Sequence, residues 1–265
     1  MADGPIRFPL VDMFLSKALG YDFARLPQDS LAIVESELRL ERIGGYRFVH
    51  ALWWVRLNDG RSVLSIPPGT ASEIRRILET RARRRDFPNP RSINDIRGVL
   101  DPVMLSAGRG ETDSIYHDIF FVCNASLLRC HRHGDCRRLK DSDIPPTDGI
   151  ELPEALFPEG IVYGLIEDGK VVSVAYAHHT GIMEDLVANI GVVTAEEYRR
   201  KGYAQTVVSE VVYEIVSKGG EARYCADPQN AASIATARSC GFTKYGTSLI
   251  ISALPVNLRL TEAIK

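Results

Sequence analysis

The sequence predicts an α+β protein: a mixed, mostly antiparallel sheet with flanking helices, plus a smaller N-terminal α+β unit. Three observations predict it. Short β-rich runs bounded by turn residues recur along the chain. Two later stretches, 205–217 and the run after Asn230 closed by Gly241, carry the signals of helices between strands. Hydrophobic periodicity breaks near residues 124–136, which divides the chain into units 1–124 and 125–265. A length of 265 residues is enough for two modest domains.

Composition narrows the class. The hydrophobic fraction of 45% and charged fraction of 25% are those of an ordinary globular protein. A formal net charge of -2 argues against a dedicated nucleic-acid binder. No stretch is long and apolar enough to span a bilayer, so no membrane partner is expected. Residues 1–5 lack the basic and apolar regions of a signal peptide, and five cysteines without a scaffold-like density fit reduced thiols. The expectation is a cytoplasmic protein.

Elements follow in chain order. Residues 10–19 read as a helix, and 33–40 as a second helix or a strand. Residues 48–57 form a β-rich strand, Asn58-Asp59-Gly60 supplies hairpin-turn chemistry, and 62–66 is the return strand. Pro67-Pro68-Gly69 breaks it, and Thr70 offers an N-cap to a helix over 71–84. The basic cluster Arg81, Arg83, Arg84 and Arg85 suits the end of that helix, where the dipole favours cations. Residues 86–112, with Pro88, Pro90 and Pro102, predict irregular connections around a short helix. Residues 119–122 are an apolar run.

Later residues are more legible. The segment 161–167 is a strand, Asp168-Gly169 a two-residue turn, and 171–178 the return strand. Strand 186–194 leads to helix 205–217, where Val208, Val211, Val212, Ile215 and Val216 recur at helical spacing. Gly219-Gly220 ends that helix, 223–227 is a strand, and Asp227-Pro228 breaks it. Asn230 caps a helix that closes at Gly241, and 249–252 is the last strand. Cys123, Cys130, His131, His133 and Cys136 cluster in sequence, but no C-x-x-C pair occurs, so no metal is expected.

The chemistry concentrates at Arg199-Arg200-Lys201-Gly202-Tyr203-Ala204. A strand, a basic glycine-containing turn and a helix follow one another there. The first amides of a helix lack internal acceptors, and the dipole adds positive charge. Gly202 removes a side chain that would crowd a ligand, while Arg199, Arg200 and Lys201 add full charges. Such a junction grips a diphosphate without a Walker lysine.

The stretch reads R-x-x-G-x-A and resembles the acyl-CoA pyrophosphate signature of the GNAT superfamily of N-acyltransferases. The resemblance covers roughly residues 137–253 and includes Asn230-x-x-Ser233 and Cys240-Gly241-Phe242 in the family's order. The opening Arg137-x-Leu139-x-x-x-Asp143 is similar to the family's first strand and turn. It implies a GNAT-type sheet with acetyl-CoA, or another acyl-CoA, as cosubstrate. It further implies that amides from Arg200 to Ala204 hold the pyrophosphate while Arg199 sets the loop. Val192, Val193 and Thr194 would lie along the pantetheine arm, and their strand would splay from the next one, 223–227, with the thioester in the gap and a bulge at Gly191. Asn230 and Ser233 would contact the pantetheine or the leaving thiol, although Asn230 is equally a helix N-cap. Tyr203 would lie over the cofactor or pack on the domain.

Two family features are missing. The strand before the motif begins Val187-Ala188-Asn189, with no carboxylate, and the family's acidic tyrosine position holds Ala237. Among neighbouring groups, His179 has the intrinsic pKa of a base and Glu184 could act through water; a solvated hairpin tip explains both as well. The expected activity is transfer of a short acyl group to a small-molecule amine, such as an amino acid. The two-part layout is similar to that of glycine N-acyltransferase-like proteins, with the N-terminal unit shaping the acceptor pocket. A protein or peptide acetyltransferase and a non-catalytic acyl-CoA sensor are the alternatives. A homo-oligomer is left open.

Overall fold

A computed structural model describes residues 7–43, 48–82, 90–140, 147, 150, 160–178, 181–183 and 186–255. In chain order the elements are α1 (Pro9–Leu19), β1 (Leu31–Glu35), β2 (Val49–Leu57), β3 (Ser62–Ile66), α2 (Ala71–Ala82), α3 (Pro90–Ser106) and β4 (Arg109–Cys123). They continue with β5 (Asp135–Arg138), β6 (Val162–Glu167), β7 (Lys170–His178), β8 (Val187–Thr194), α4 (Tyr203–Ser217), β9 (Glu221–Ala226), α5 (Ala231–Ser239) and β10 (Thr243–Pro255).

Packing divides the chain into one unit of residues 1–14 and 119–245, and another of 15–118 and 246–265. The sequence boundary between 124 and 125 falls inside the first of these, just past β4. Short stretches at both ends of the chain cross over, because α1 and β10 each run through a division.

In the second unit β3 lies between β1, to which it is parallel, and β2, to which it is antiparallel; β2 then pairs antiparallel with β10. The ambiguous run after residue 31 resolves into strand β1 and a short 3-10 turn at Glu37–Arg39. Thr70 does not cap α2 as expected. Its hydroxyl donates to the Pro67 carbonyl at 2.7 Å, and Glu35 Oε1 accepts the Ala71 amide at 2.8 Å. The residues after α2, with most of the arginine cluster, lie outside those described.

The expectation of a short helix in irregular chain over 86–112 is corrected. α3 runs for 17 residues. Pro90 occupies its first position, where a missing N–H costs nothing, while Pro102 inside the helix forgoes one bond. Ser92, Ile96, Leu100 and Met104, spaced by four, are buried, and that face outweighs the interruption. β4 likewise begins well before the apolar run at 119–122, and β10 is longer than 249–252. Their alternating or polar portions gain their strand state from pairing rather than from local propensity.

In the first unit β4 pairs antiparallel with β9, β9 runs parallel to β8, and β7, β6 and β5 follow antiparallel. The sheet is mixed and mostly antiparallel, as the sequence predicts. Asp168 (φ 50°) and Gly169 (φ 76°) make the tight turn between β6 and β7, as a primed hairpin requires. α4 buries Val207, Val208, Val211, Val212 and Ile215 against Ala188, Ile190, Ala222 and Tyr224. Each such valine or isoleucine contributes roughly 1.5–3 kcal/mol of transfer free energy. That packing holds the N-terminus of α4 at the end of β8.

Candidate functional site

The site begins where β8 and β9 part. Their parallel register holds for three rungs, Val187↔Glu221, Ala188↔Ala222 and Asn189↔Arg223, and then ends. β8 continues to Thr194 on its β7 side only, so the backbone from Ile190 onward has a free edge. A free strand edge is a template for an extended, amide-bearing partner. The expected bulge at Gly191 does not occur, since β7 and β8 pair in unbroken register from Ser173↔Thr194 to His178↔Asn189. Gly191 instead faces Tyr176, and a Cβ there would lie 2.3 Å from the tyrosine Cζ. The glycine makes room for a ring.

Past Thr194 the chain makes a 3-10 turn, Glu196–Tyr198, and reaches the basic loop. Arg199 Nε donates to the Thr194 carbonyl at 3.3 Å, which ties the loop to its strand. Arg200 adopts φ 65° and Gly202 φ 84°. Positive φ at an arginine costs on the order of 1–2 kcal/mol and is held only where the surroundings enforce it. Gly202 is the N-cap of α4 and provides no side-chain cap bond. The first helical bond runs from the Thr206 amide to the Gly202 carbonyl, so the amides of Tyr203, Ala204 and Gln205 precede it. These donors, with the helix dipole behind them, face a cleft of about 850 Å³.

The cleft gathers nearly all of the sequence-predicted binding residues. Val192, Val193 and Thr194 line it from β8, while Arg199, Arg200, Gly202, Tyr203 and Ala204 line it from the loop and α4. Asn230 and Ser233 line it from α5. Lys201 does not: its Nζ stands 4.7 Å from the Tyr198 ring centroid and 5.8 Å from that of Tyr203. Asn230 Oδ1 accepts the Ser233 amide at 3.0 Å, so that oxygen is committed to capping α5. The Tyr203 hydroxyl hydrogen-bonds to Glu167, which raises its pKa above the ordinary tyrosine value. His179 and Glu184 lie outside the described residues.

Sequence reasoning missed Tyr224. It is 1% exposed, yet it lines the cleft, and its hydroxyl meets Ser233 Oγ at 2.9 Å. Burial raises its pKa, against a smaller opposing effect of the Ser233 hydrogen bond, so the phenol stays protonated at neutral pH. The signal was the period of two in β9, where Ala222, Tyr224 and Ala226 all turn toward α4. Ala237, at the family's tyrosine position, is buried core.

The cysteine–histidine cluster disperses. Burial pushes the Cys123, Cys136 and Cys240 thiols up to about 12, which leaves them protonated and unreactive. His131 Nε2 lies 3.1 Å from the Ser239 carbonyl. Among the described residues no group of three or more His, Cys, Asp or Glu is arranged to hold a metal ion. Nor is any helix among them long and apolar enough to cross a membrane.

A free strand edge, an uncapped helix start and a basic loop therefore meet in one cleft, a geometry that suits an extended ligand with an anionic group. Residues 129–242 match the model of the acetyltransferase (GNAT) family, a stretch of under half of the chain. Among solved structures, it is similar to a putative GNAT-family acetyltransferase from Novosphingobium aromaticivorans, with 19% identity and a TM-score of 0.45 over 53% of this chain and 66% of that one. It is also similar to a GNAT-family acetyltransferase from Colwellia psychrerythraea, with 13% identity and a TM-score of 0.45 over 72% and 76% of the two chains. A putative acetyltransferase from Salmonella typhimurium, solved with its cofactor acetyl-CoA, matches at 20% identity and a TM-score of 0.30 over 36% and 65%. No curated protein matches the chain.

Proposed function

We propose that this protein is an acyl-CoA-dependent N-acyltransferase that moves an acetyl or other short acyl group to the amine of a small molecule such as an amino acid. The observation that carries this reading is the alignment of the uncapped α4 amides with the free edge of β8 in one cleft. The amides around Gly202 suit a pyrophosphate, and the edge of Val192 and Val193 suits the amides of a pantetheine arm. The fork beyond Asn189 would then receive the thioester.

Acyl transfer forms a C–N bond and breaks a C–S bond, with the sulfur keeping the electron pair. One amine proton must leave, and the thiolate must take one. Tyr224, paired with Ser233 and kept protonated by burial, is the proposed proton donor. His179 and Glu184 remain the proposed bases, with positioning of the amine as the larger contribution.

Isothermal calorimetry with acetyl-CoA, followed by thiol release in the presence of an amine panel, tests this reading. Saturable uptake and amine-dependent release are expected. Absence of uptake ends the proposal, and uptake with no acylated amine converts the protein into a sensor. In Tyr224→Phe, kcat should fall on the order of 100-fold while acetyl-CoA affinity holds. A normal pH–rate profile in His179→Ala or Glu184→Ala would reject that residue as base.

A further inference from the structure

On the face of the sheet opposite α4, β8 and β9 carry two polar groups that the cleft does not use. Ala188 and Ile190, with Ala222, Tyr224 and Ala226, enter the core beneath α4. By the period of two, Asn189, Arg223 and Cys225 turn to the other face. Asn189 and Arg223 are register partners, and they form the last rung before the fork.

Arg223 is 3% exposed. Its guanidinium carbon stands 4.7 Å from the Phe14 ring centroid and 5.5 Å from that of Phe120. Nη2 reaches Cys225 Sγ at 3.8 Å, a weak contact directed toward the fork, and the buried Nε makes no hydrogen bond. Among the described residues no carboxylate pairs with it. Glu221, two residues earlier on the same face, instead accepts the Val11 amide at 2.9 Å. Across the rung, Asn189 Oδ1 is buried and also lacks a partner.

A guanidinium removed from water without an anion is strongly unfavourable, and two aromatic faces offset only part of that. An apolar residue of similar volume would serve the core better. A carboxylate would satisfy the cation through paired, charge-assisted hydrogen bonds. The amide oxygen beside it is an acceptor that complements an amine N–H. Neighbouring strands lie about 4.8 Å apart, so one small molecule can engage both groups.

We infer that Arg223 and Asn189 form the acceptor subsite and that the acceptor is a small amino acid. Arg223 holds its carboxylate, and Asn189 Oδ1 receives an N–H of its amine, which presents the nitrogen lone pair to the acyl carbon at the fork. The amine's displaced proton leaves to base or water, and the departing sulfur is protonated from the opposite face. This assignment rests on the acyl-transfer reading above.

The test measures kcat/KM of the full chain with acetyl-CoA and four amines: glycine, β-alanine, glycinamide and O-phosphoethanolamine. A preference of roughly 100-fold for a carboxylate-bearing amine over glycinamide is expected, the scale of hydrogen bonds to a charged group. Arg223→Met should bring the carboxylate substrate down to the level of glycinamide, with partial recovery in Arg223→Lys. Asn189→Leu should raise KM for the amino acid and provides a second variant if Arg223→Met does not fold. Equal use of glycine and glycinamide by the wild type, preference for the phosphate-bearing amine, or a carboxylate preference that survives Arg223→Met each overturns the subsite. Acetyl-CoA uptake, read separately by calorimetry, distinguishes that failure from failure of the underlying reading: uptake with acylation of glycinamide or O-phosphoethanolamine but of no amino acid sinks the subsite alone, whereas uptake with no amine acylated sinks both.

Discussion

Two helices begin at the same cleft and begin differently. α5 starts with Asn230, whose side chain accepts the Ser233 amide at 3.0 Å, so the helix serves one of its own exposed donors. α4 starts with Gly202 in the left-handed conformation and has no side-chain cap. The arginine two residues earlier also holds a positive φ. A capped start is the stable solution for a helix, and an uncapped one leaves donors for something outside the chain. The contrast supports placing the proposed anion at the α4 start rather than at α5.

The largest test of this contrast is Gly202→Asp. The φ of 84° and a Cβ 3.1 Å from His133 Nε2 strain any side chain there, and the carboxylate adds charge against the diphosphate. Acetyl-CoA affinity should fall roughly 100-fold, the scale of losing one or two charge-assisted hydrogen bonds. Gly202→Asn, with similar backbone strain and no charge, should lose less; equal losses would assign the effect to shape alone.

Asn230→Ala should act on the other side of the contrast. It removes a cap and should destabilise the protein by about 1 kcal/mol in chemical denaturation. Its effect on acetyl-CoA affinity should be far smaller than that of Gly202→Asp. A comparable loss would make Asn230 a ligand and break the distinction between the two helix starts.

Arg200→Gly should produce the smallest change and the most telling sign. Relief of the left-handed backbone should outweigh the greater freedom of glycine in the unfolded chain, raising stability by about 0.5 kcal/mol. Loss of the cation should weaken acetyl-CoA binding a few-fold. A variant that is both more stable and a weaker binder would show that the strain is maintained for the ligand. A variant weaker in both respects would deny it.

The chemistry of the basic loop was readable because it is local. A helix start, a glycine and three cations lie within six consecutive residues, and their meaning depends little on the rest of the chain. Asn230 and Gly241 were legible for the same reason, since caps act over one turn. α3 was not legible, because Pro90, Gly98 and Pro102 resemble breakers until the buried face of Ile96, Leu100 and Met104 is known to have a core to enter. The role of Gly191 was equally hidden, since it depends on Tyr176 from another strand.

Alone, the order of residues determined the alternation of strands and helices in the later half, the glycine-containing loop and the family that this loop resembles. These are short-range properties, set by backbone sterics, periodicity and the few residues that cap a helix. Tertiary structure decided the rest: where β8 leaves β9, why Tyr224 meets Ser233 in the cleft, and that Arg223 is buried without an anion beside Asn189. Each of these depends on which strands become neighbours and on the register at which they pair, and a one-residue slip would turn every one of those side chains to the opposite face.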